Sequence, residues 1–211
     1  MNFVVYSHRY GFEIVNSNES FHDLYLEILN IISGTTDEEI INHFEMYNGG
    51  SKSISKSINK IFDEKFKSCG WKPQSYIFKD NEYRQKKNDN WRLDFAKKDF
   101  SIEVAFNHGG SIAWNLIKPV LASELNHIEK DIQTKIGVII CATEKMKKTG
   151  GFDGAIGTYE NFISYSKALT TILTTPLIII GLDAPDTFEI KHKNHGNKKI
   201  GYVNKLENEP N

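Results

Sequence analysis

The sequence predicts an α/β domain with a mixed central sheet flanked by helices. Two continuous apolar segments, 136–141 and 176–181, have the composition of strands that are buried on both faces. Helical patterns lie between strand-like segments, and a charged hairpin pattern occupies 93–106. The chain has 211 residues and shows no repeat or linker, so we expect one domain over 1–186 followed by a polar tail over 187–211.

The elements before the hairpin follow from the spacing of apolar residues. Residues 3–6 predict a short strand, and apolar positions at helical spacing predict helices over 20–33 and 53–68. The polar stretch 72–92 has no clear period. It predicts a loop with one weak strand at 76–78.

The elements after the hairpin begin with a long apolar pattern. Apolar positions at i, i+4 and i+8 predict a helix over 112–133, with a kink or a late start at Pro119. Lysine and glycine residues predict a loop over 145–157, and a further helix is expected near 158–172.

Composition limits where this protein is expected to act. Cys69 and Cys141 stand alone, which argues against a disulfide framework and against a cysteine zinc site. No segment approaches the roughly eighteen apolar residues of a membrane span, and residues 1–3 lead into strand-like sequence rather than a signal peptide. We therefore expect a cytoplasmic protein that has no contact with a membrane.

The net charge of −1 hides an uneven distribution along the chain. Residues 1–50 contain one basic and eight acidic residues, whereas residues 51–98 contain thirteen basic and six acidic ones. A basic middle segment is a possible footprint for a polyanion. A solvated lysine-rich face is an equally good explanation on charge alone.

The segment that carries chemistry is LDFAKKDFSIEVAF, residues 93–106. A turn at 97–99 would bring Asp94 and Glu103, nine residues apart, to one edge of the sheet. Two carboxylates held together resist joint ionisation unless a cation lies between them. Oxygen ligands of this kind suit Mg²⁺, which supports phosphodiester hydrolysis. The alternative is an exposed charged hairpin with no metal.

This segment resembles the PD-(D/E)XK nuclease core of the BglII/BstYI group of type II restriction endonucleases. Three further segments resemble the same group in the same order along the chain: 5–8 (VYSH), 58–72 (INKIFDEKFKSCGWK) and 175–182 (TPLIIIGL). The resemblance covers roughly residues 4–185. It implies a single-domain, restriction-endonuclease-like fold.

The resemblance also implies a metal site. It makes Asp94 and Glu103 the metal ligands, with the Val104 carbonyl as a third, and Mg²⁺ as the cofactor. The chain departs from the family at Ala105, where relatives usually carry Lys, Gln or Glu to orient or deprotonate the attacking water. Alanine has no group that can do either.

Several substitutes for the missing group remain open. Asn107 follows on the same strand face, and His108 and Lys98 are close in sequence. Glu64, on the preceding basic helix, is an accessory candidate for the metal shell. A DNA phosphate together with the metal would also suffice without a protein base. The last alternative is a slow or inactive enzyme.

The candidates for contact with DNA come from two basic segments. Lys147, Lys148 and Asp153 belong to the lysine- and glycine-rich loop, whose donors and acceptor suit base edges in the major groove. The remaining candidates lie on a stripe of the 53–68 helix, in the turn of the hairpin and just after the hairpin: Lys52, Lys56, Lys60, Lys98, His108 and Asn115.

By resemblance, the protein is expected to be a homodimeric, Mg²⁺-dependent type II site-specific deoxyribonuclease. It would cut double-stranded DNA at a short palindrome, with the 112–133 helix at the dimer interface. One alternative is a repair or structure-specific nuclease with the same core. The other is a DNA-binding protein of this fold that has lost catalysis at Ala105.

Overall fold

The computed structural model describes residues 1–47, 50–85, 89–125, 127–196 and 198–206. Six strands form one sheet in the order β1-β6-β5-β4-β3-β2. Their bounds are β1 Phe3–His8, β2 Lys72–Tyr76, β3 Arg92–Lys97, β4 Phe100–Ala105, β5 Ile136–Ala142 and β6 Leu177–Leu182. Strands β4, β5 and β6 run parallel, while β1, β2 and β3 pair antiparallel to their neighbours. The predicted mixed sheet is therefore confirmed.

Helices cover both faces of this sheet. Their bounds are α1 Gly11–Ser17, α2 Glu19–Ser33, α3 Asp37–Tyr47, α4 Ser55–Ser68, α5 Ile112–Ser123, α6 Glu144–Thr149 and α7 Tyr159–Ala168. The larger core cluster joins residues of α2, α3 and α4 to one face, and a second cluster joins α5 and α7 to the other. Strands β5 and β6 are buried along their whole length, as their continuous apolar sequence predicts.

Helix α5 ends at Ser123, so the predicted helix over 112–133 is wrong in its second half. The chain folds back instead, and the backbone amides of Asp131 and Lys79 donate to the carbonyls of Ile77 and Glu129 respectively. Ile128 and Ile132 still pack against a buried cluster, but from a segment that is not helical. Apolar spacing alone does not distinguish these two ways of burying the same side chains.

Two shorter corrections concern the polar segments. The strand expected at 76–78 lies at Lys72–Tyr76. The predicted loop 145–157 begins as helix α6, where the Thr143 hydroxyl caps the Met146 amide at 3.1 Å and the Met146 side chain is fully buried. A single buried methionine anchors a segment whose lysines and glycines otherwise indicate a loop.

The segment after Asp186 forms a hairpin of β7 (Phe188–His195) and β8 (Lys198–Lys205). Phe188 and Ile190 at its base are buried in the larger core cluster, whereas most of its outer half is exposed. The hairpin packs beside α6. Across the residues that the structure describes, no helix is long and apolar enough to cross a membrane.

Candidate active site

The candidate site lies where strands β3 and β4 separate. Their ladder stops at the pair Phe95 and Ile102, so Asp94 and Glu103 are the next residues beyond the last pair. The Val104 amide, which no longer has a backbone partner on β3, donates to Asp94 Oδ2 at 2.8 Å. The hairpin therefore brings the two carboxylates together, as the sequence predicted, at the end of the sheet where the parallel strands finish.

A polar cavity of about 260 Å³ opens at this point. It is lined by Asn59, Asp63, Gln74, Asp94, Phe95, Glu103, Val104, Asn107 and Lys118. Two of these residues lie on helix α4, on one face of the sheet, and one lies on helix α5, on the other face. The rest lie on strands β2, β3 and β4 or just after β4. The two carboxylates thus face a space that is polar and open enough to admit a ligand.

Glu103 is an unusually buried acid, with 2% of its surface exposed. Burial, followed by the like charge of Asp94, raises the pKa of Glu103 to about 8. The Lys118 ammonium forms an ion pair with Glu103 Oε2 and opposes this rise. Burying this carboxyl costs folding free energy. Strongly shifted pKa values of this kind are common among residues of functional sites.

Asp94 is held by several donors at once. Its pKa is raised by burial, and the hydrogen bonds from the Val104 amide and the Gln74 side chain, with the charge of Lys118, act against that rise. The backbone of Gln74 has a φ of 48°, in the left-handed region, at the position opposite Asp94 where the β2–β3 ladder is interrupted. At this position of strained backbone, the side-chain amide of Gln74 hydrogen-bonds the carboxylate of Asp94. No periodicity in the sequence predicts it.

Lys118 is the principal residue that the sequence prediction missed. It lies on α5 among apolar neighbours, and only 11% of its side chain is exposed. Its Nζ donates to the Arg92 carbonyl at 3.1 Å as well as to Glu103. The helix can approach β5 because Gly137 has no side chain: a Cβ there would lie 2.5 Å from Pro119 Cβ. The sequence did contain one indication of its role, because Lys118 interrupts an otherwise apolar face of the predicted helix.

The residues present fit a hard divalent cation such as Mg²⁺. Glu103 Oε1 is buried and has no hydrogen-bond partner in the described structure, so one oxygen is left for a ligand. Asp94 and Val104 line the same cavity. Among the described residues, no group of three or more His, Cys, Asp or Glu side chains gathers as a metal cluster. A cation would therefore rely on two carboxylates, with backbone, water or substrate oxygens completing its shell.

Position 105 offers the cavity no functional group. Ala105 is buried in the apolar cluster that includes Ile112, Leu116 and Cys141. Strand β4 itself therefore lacks a side chain that could act on water at the place where the sequence pattern leads one to expect it.

Several predicted residues do gather beside the cavity. Asn107 lines it, just beyond the end of β4. His108 is exposed and forms a bridge with Ile156, and the charge of His108 acts on Asp153. Asp153 pairs with Lys52 at 2.9 Å. Asn107, His108, Asp153 and Lys52 thus form a continuous polar edge, which we call the loop edge.

Other predicted residues lie elsewhere. Glu64 is exposed, pairs with Lys60 at 3.3 Å and lines a different pocket, whereas Asp63, one residue earlier, lines the cavity. Lys98 is in the turn at the opposite end of the β3–β4 hairpin, with a φ of 49°. Asn115 is 5% exposed, too buried for direct contact with DNA in this conformation. On α4, the acidic residue that faces the cavity is thus Asp63, one position before the predicted Glu64.

The basic candidates differ in exposure. Lys52 precedes α4, which begins at Ser55, so the predicted stripe on one helix face contains only Lys56 and Lys60. Lys148 is exposed in the last turn of α6, while Lys147 is largely covered and lies 3.5 Å from Glu144. The apolar face of α5, which begins the segment expected at the dimer interface, packs inside the subunit.

Comparison with known proteins identifies the family and the fold. The profile of the family Restriction endonuclease BglII/BglIII matches residues 3–182. A crystal structure of restriction endonuclease BglII complexed with a DNA 16-mer superposes with a TM-score of 0.67 at 16% identity, covering 98% of this chain and all of that one. Free BglII gives 0.54 at 13% identity with the same coverage. No curated protein matches the chain significantly in sequence.

The fold is that of a restriction-endonuclease-like protein. The chain belongs to the BglII/BglIII family of restriction endonucleases, which are type II site-specific deoxyribonucleases. The resemblance inferred from the sequence is confirmed over nearly the same range of residues.

Proposed function

We propose that this protein is a Mg²⁺-dependent enzyme that hydrolyses both strands of double-stranded DNA at a short palindromic site. The observation that carries the proposal is the pair Asp94 and Glu103, which line one polar cavity with an unpartnered Glu103 oxygen. Bound there, a divalent cation would activate water and stabilise charge on the phosphate. We also propose that the enzyme acts on DNA in the cytoplasm.

The chain's own residues would hold the substrate beside this cavity. The loop edge supplies one cation, one acid, one imidazole and one amide within a single surface, which suits contact with phosphates and base edges. Lys56 and Lys60 extend the basic surface as proposed phosphate contacts, and Lys147 and Lys148 are proposed for base edges, with Lys148 the more exposed of the two. The positions of Lys98, Glu64 and Asn115 do not support a direct contact with DNA or with a bound metal. Lys98 lies at the far turn, Glu64 lies outside the cavity, and Asn115 is buried.

A homodimer is part of the proposal, because a palindrome presents the same surface twice and two copies of one chain read it with two-fold symmetry. Since the apolar face of α5 is used within the subunit, its outer face and the segment that follows are the better candidates for the interface. Sedimentation equilibrium of the protein with and without DNA measures the assembly.

A plasmid digest tests the proposed activity. Supercoiled plasmid is incubated with the protein in Mg²⁺ and in Ca²⁺, and the ends of any fragments are sequenced. Discrete fragments in Mg²⁺ with one palindrome at every end are expected. Random nicking would indicate a structure-specific nuclease instead. Binding without cleavage in either ion would favour the alternative that Ala105 suggests, a non-catalytic DNA-binding protein.

Lys56→Ala is expected to weaken DNA binding uniformly across sequences. Lys56 is exposed on α4, on the helix that lines the cavity, and a lost phosphate contact reduces the slope of log K against log[salt] by about 1. Fluorescence anisotropy in Ca²⁺ over a salt series measures both effects. Lys167→Ala is the matched control, because this exposed lysine lies in the last turn of α7, at the other end of the helix from the loop edge. Equal slopes in all three proteins would contradict the contact.

A further inference from the structure

We propose that Lys118 is a catalytic residue of this enzyme, whose ammonium group contacts the DNA phosphate under attack. The inference rests on the proposed function and assigns to helix α5 a group that strand β4 does not provide. It is carried by the position of the Lys118 side chain, which reaches from a buried helix into the cavity of Asp94 and Glu103.

The burial of Lys118 is difficult to explain by stability. Lysine is almost never buried unless it is paired, and the residue is 8% exposed on a helix whose neighbouring buried positions are mainly apolar. Removing an ammonium from water is costly, and buried ion pairs can often be replaced by apolar residues without loss of stability. A role in the chemistry of the cavity accounts for the retained charge.

The hydrogen-bond geometry leaves Lys118 able to act on a ligand. An ammonium group carries three N–H donors. Within the described residues, Glu103 Oε2 and the Arg92 carbonyl take two of them. Both acceptors hold Nζ at the cavity, so a third donor remains for an oxygen that enters it.

The competing candidates are less well placed. Among the described residues that line the cavity, Lys118 is the only cation. Asn107 lines the cavity but is neutral. His108 Nδ1 accepts from the Gly110 amide at 3.0 Å, and Lys98 lies at the far turn of the hairpin. Of these side chains, Lys118 is therefore the one that brings positive charge to the carboxylate pair.

The proposed step is an ordinary hydrolysis. A lone pair of the water oxygen forms a bond to phosphorus, and the bond from phosphorus to the leaving sugar oxygen breaks. The electron pair of that bond stays on the sugar oxygen, which takes a proton from solvent, and the proton of the attacking water is released to solvent. Lys118 keeps its protons throughout and donates a hydrogen bond to a non-bridging phosphate oxygen, where negative charge grows.

The experiment compares Lys118→Met with wild type and with Lys97→Met. Lys97 is a suitable control because it is also a partly buried lysine in an ion pair, with Glu27 at 2.8 Å, but does not line the cavity. Single-turnover cleavage of plasmid in Mg²⁺ gives the rate. Anisotropy with DNA in Ca²⁺ and calorimetric titration with Mn²⁺ alone give two readouts that do not depend on cleavage.

Lys118→Met is expected to cleave about 10²–10³-fold more slowly, with Mn²⁺ affinity no weaker than in wild type. DNA affinity in Ca²⁺ is expected to fall far less than the rate, because the contact strengthens as charge grows on the phosphate. Adding Ala105→Lys to Lys118→Met is expected to recover part of the rate, since position 105 lies on the same strand face as Glu103. If circular dichroism shows that Lys118→Met is unfolded, Lys118→Gln takes its place, because an amide can still donate to Glu103.

Two results would overturn the inference while leaving the proposed function intact. One is a wild-type rate in the folded Lys118 variant. The other is a loss of rate matched by an equal loss of Mn²⁺ affinity, which would make Lys118 a support for Glu103 rather than a contact to phosphate. Failure of wild type and Lys97→Met to cut any DNA in Mg²⁺ would instead remove the proposed function, and the inference with it.

Discussion

Asp94→Asn and Glu103→Gln are each expected to abolish Mg²⁺-dependent cleavage while DNA binding in Ca²⁺ stays measurable. Both carboxylates line the cavity, and each substitution replaces an anionic oxygen by an uncharged amide at nearly constant volume. Loss of a charge that helps to hold a metal forfeits several kcal/mol of transition-state stabilisation, or roughly 10³-fold or more in rate. Single-turnover cleavage and anisotropy on the same preparations measure the two quantities.

Asp99→Asn is the matched control for this experiment. Asp99 lies on the same hairpin, but at its turn, where it pairs with Lys135 at 2.9 Å. Its neutralisation is expected to leave cleavage unchanged. Full activity in both Asp94→Asn and Glu103→Gln would exclude this cavity as the site of hydrolysis, whatever the other variants do.

The metal-free protein is expected to lose stability as the pH rises through neutrality, and Glu103→Gln is expected to suppress that loss. The pKa of Glu103 rises from 4.5 to about 8 on folding, so between these values the folded state binds more protons than the unfolded state. The free energy of unfolding therefore falls with increasing pH, by up to roughly 5 kcal/mol for a shift of this size. Asp94 contributes with the same sign, because burial raises its pKa too.

Urea denaturation in EDTA between pH 5 and pH 9 measures this effect. Wild type and Asp99→Asn are expected to lose stability in parallel, whereas Glu103→Gln keeps a flatter profile because it has no carboxyl to ionise at that position. Mg²⁺ added at the upper end of the range is expected to restore part of the lost stability, since a ligand that binds the folded state stabilises it. Superimposable profiles of wild type and Glu103→Gln would show that Glu103 is not held in an unfavourable environment.

The two expectations describe the same feature of the molecule. Glu103 is buried beside Asp94, with Lys118 as its partner and one oxygen left over. This arrangement is expected to cost folding stability in the absence of a cation, and under the proposed function it would favour the binding of one. Functional sites often lower the stability of the folded protein in this way, because the arrangement that serves activity is not the most stable one.

Local patterns in the sequence determined the central sheet and the pair of acids. The uninterrupted apolar segments predict β5 and β6, because only strands buried on both faces need no polar side. The acids at 94 and 103 are predicted because a hairpin with its turn near 98 brings them together whatever surrounds it. Buried strands and hairpins are determined by residues that are close together along the chain, so they can be predicted from the sequence.

The tertiary structure decided which other groups meet those acids. Lys118 reaches Glu103 from α5, which packs closely over Gly137, and Gln74 reaches Asp94 from a position with a left-handed backbone. Asp63 rather than Glu64 lines the cavity, since the rotation of α4 is set by its buried face. The nuclease family and the proximity of the two carboxylates were thus evident from the sequence, whereas the lysine opposite them was not. Contacts between distant segments depend on how helices pack, and no local period records that.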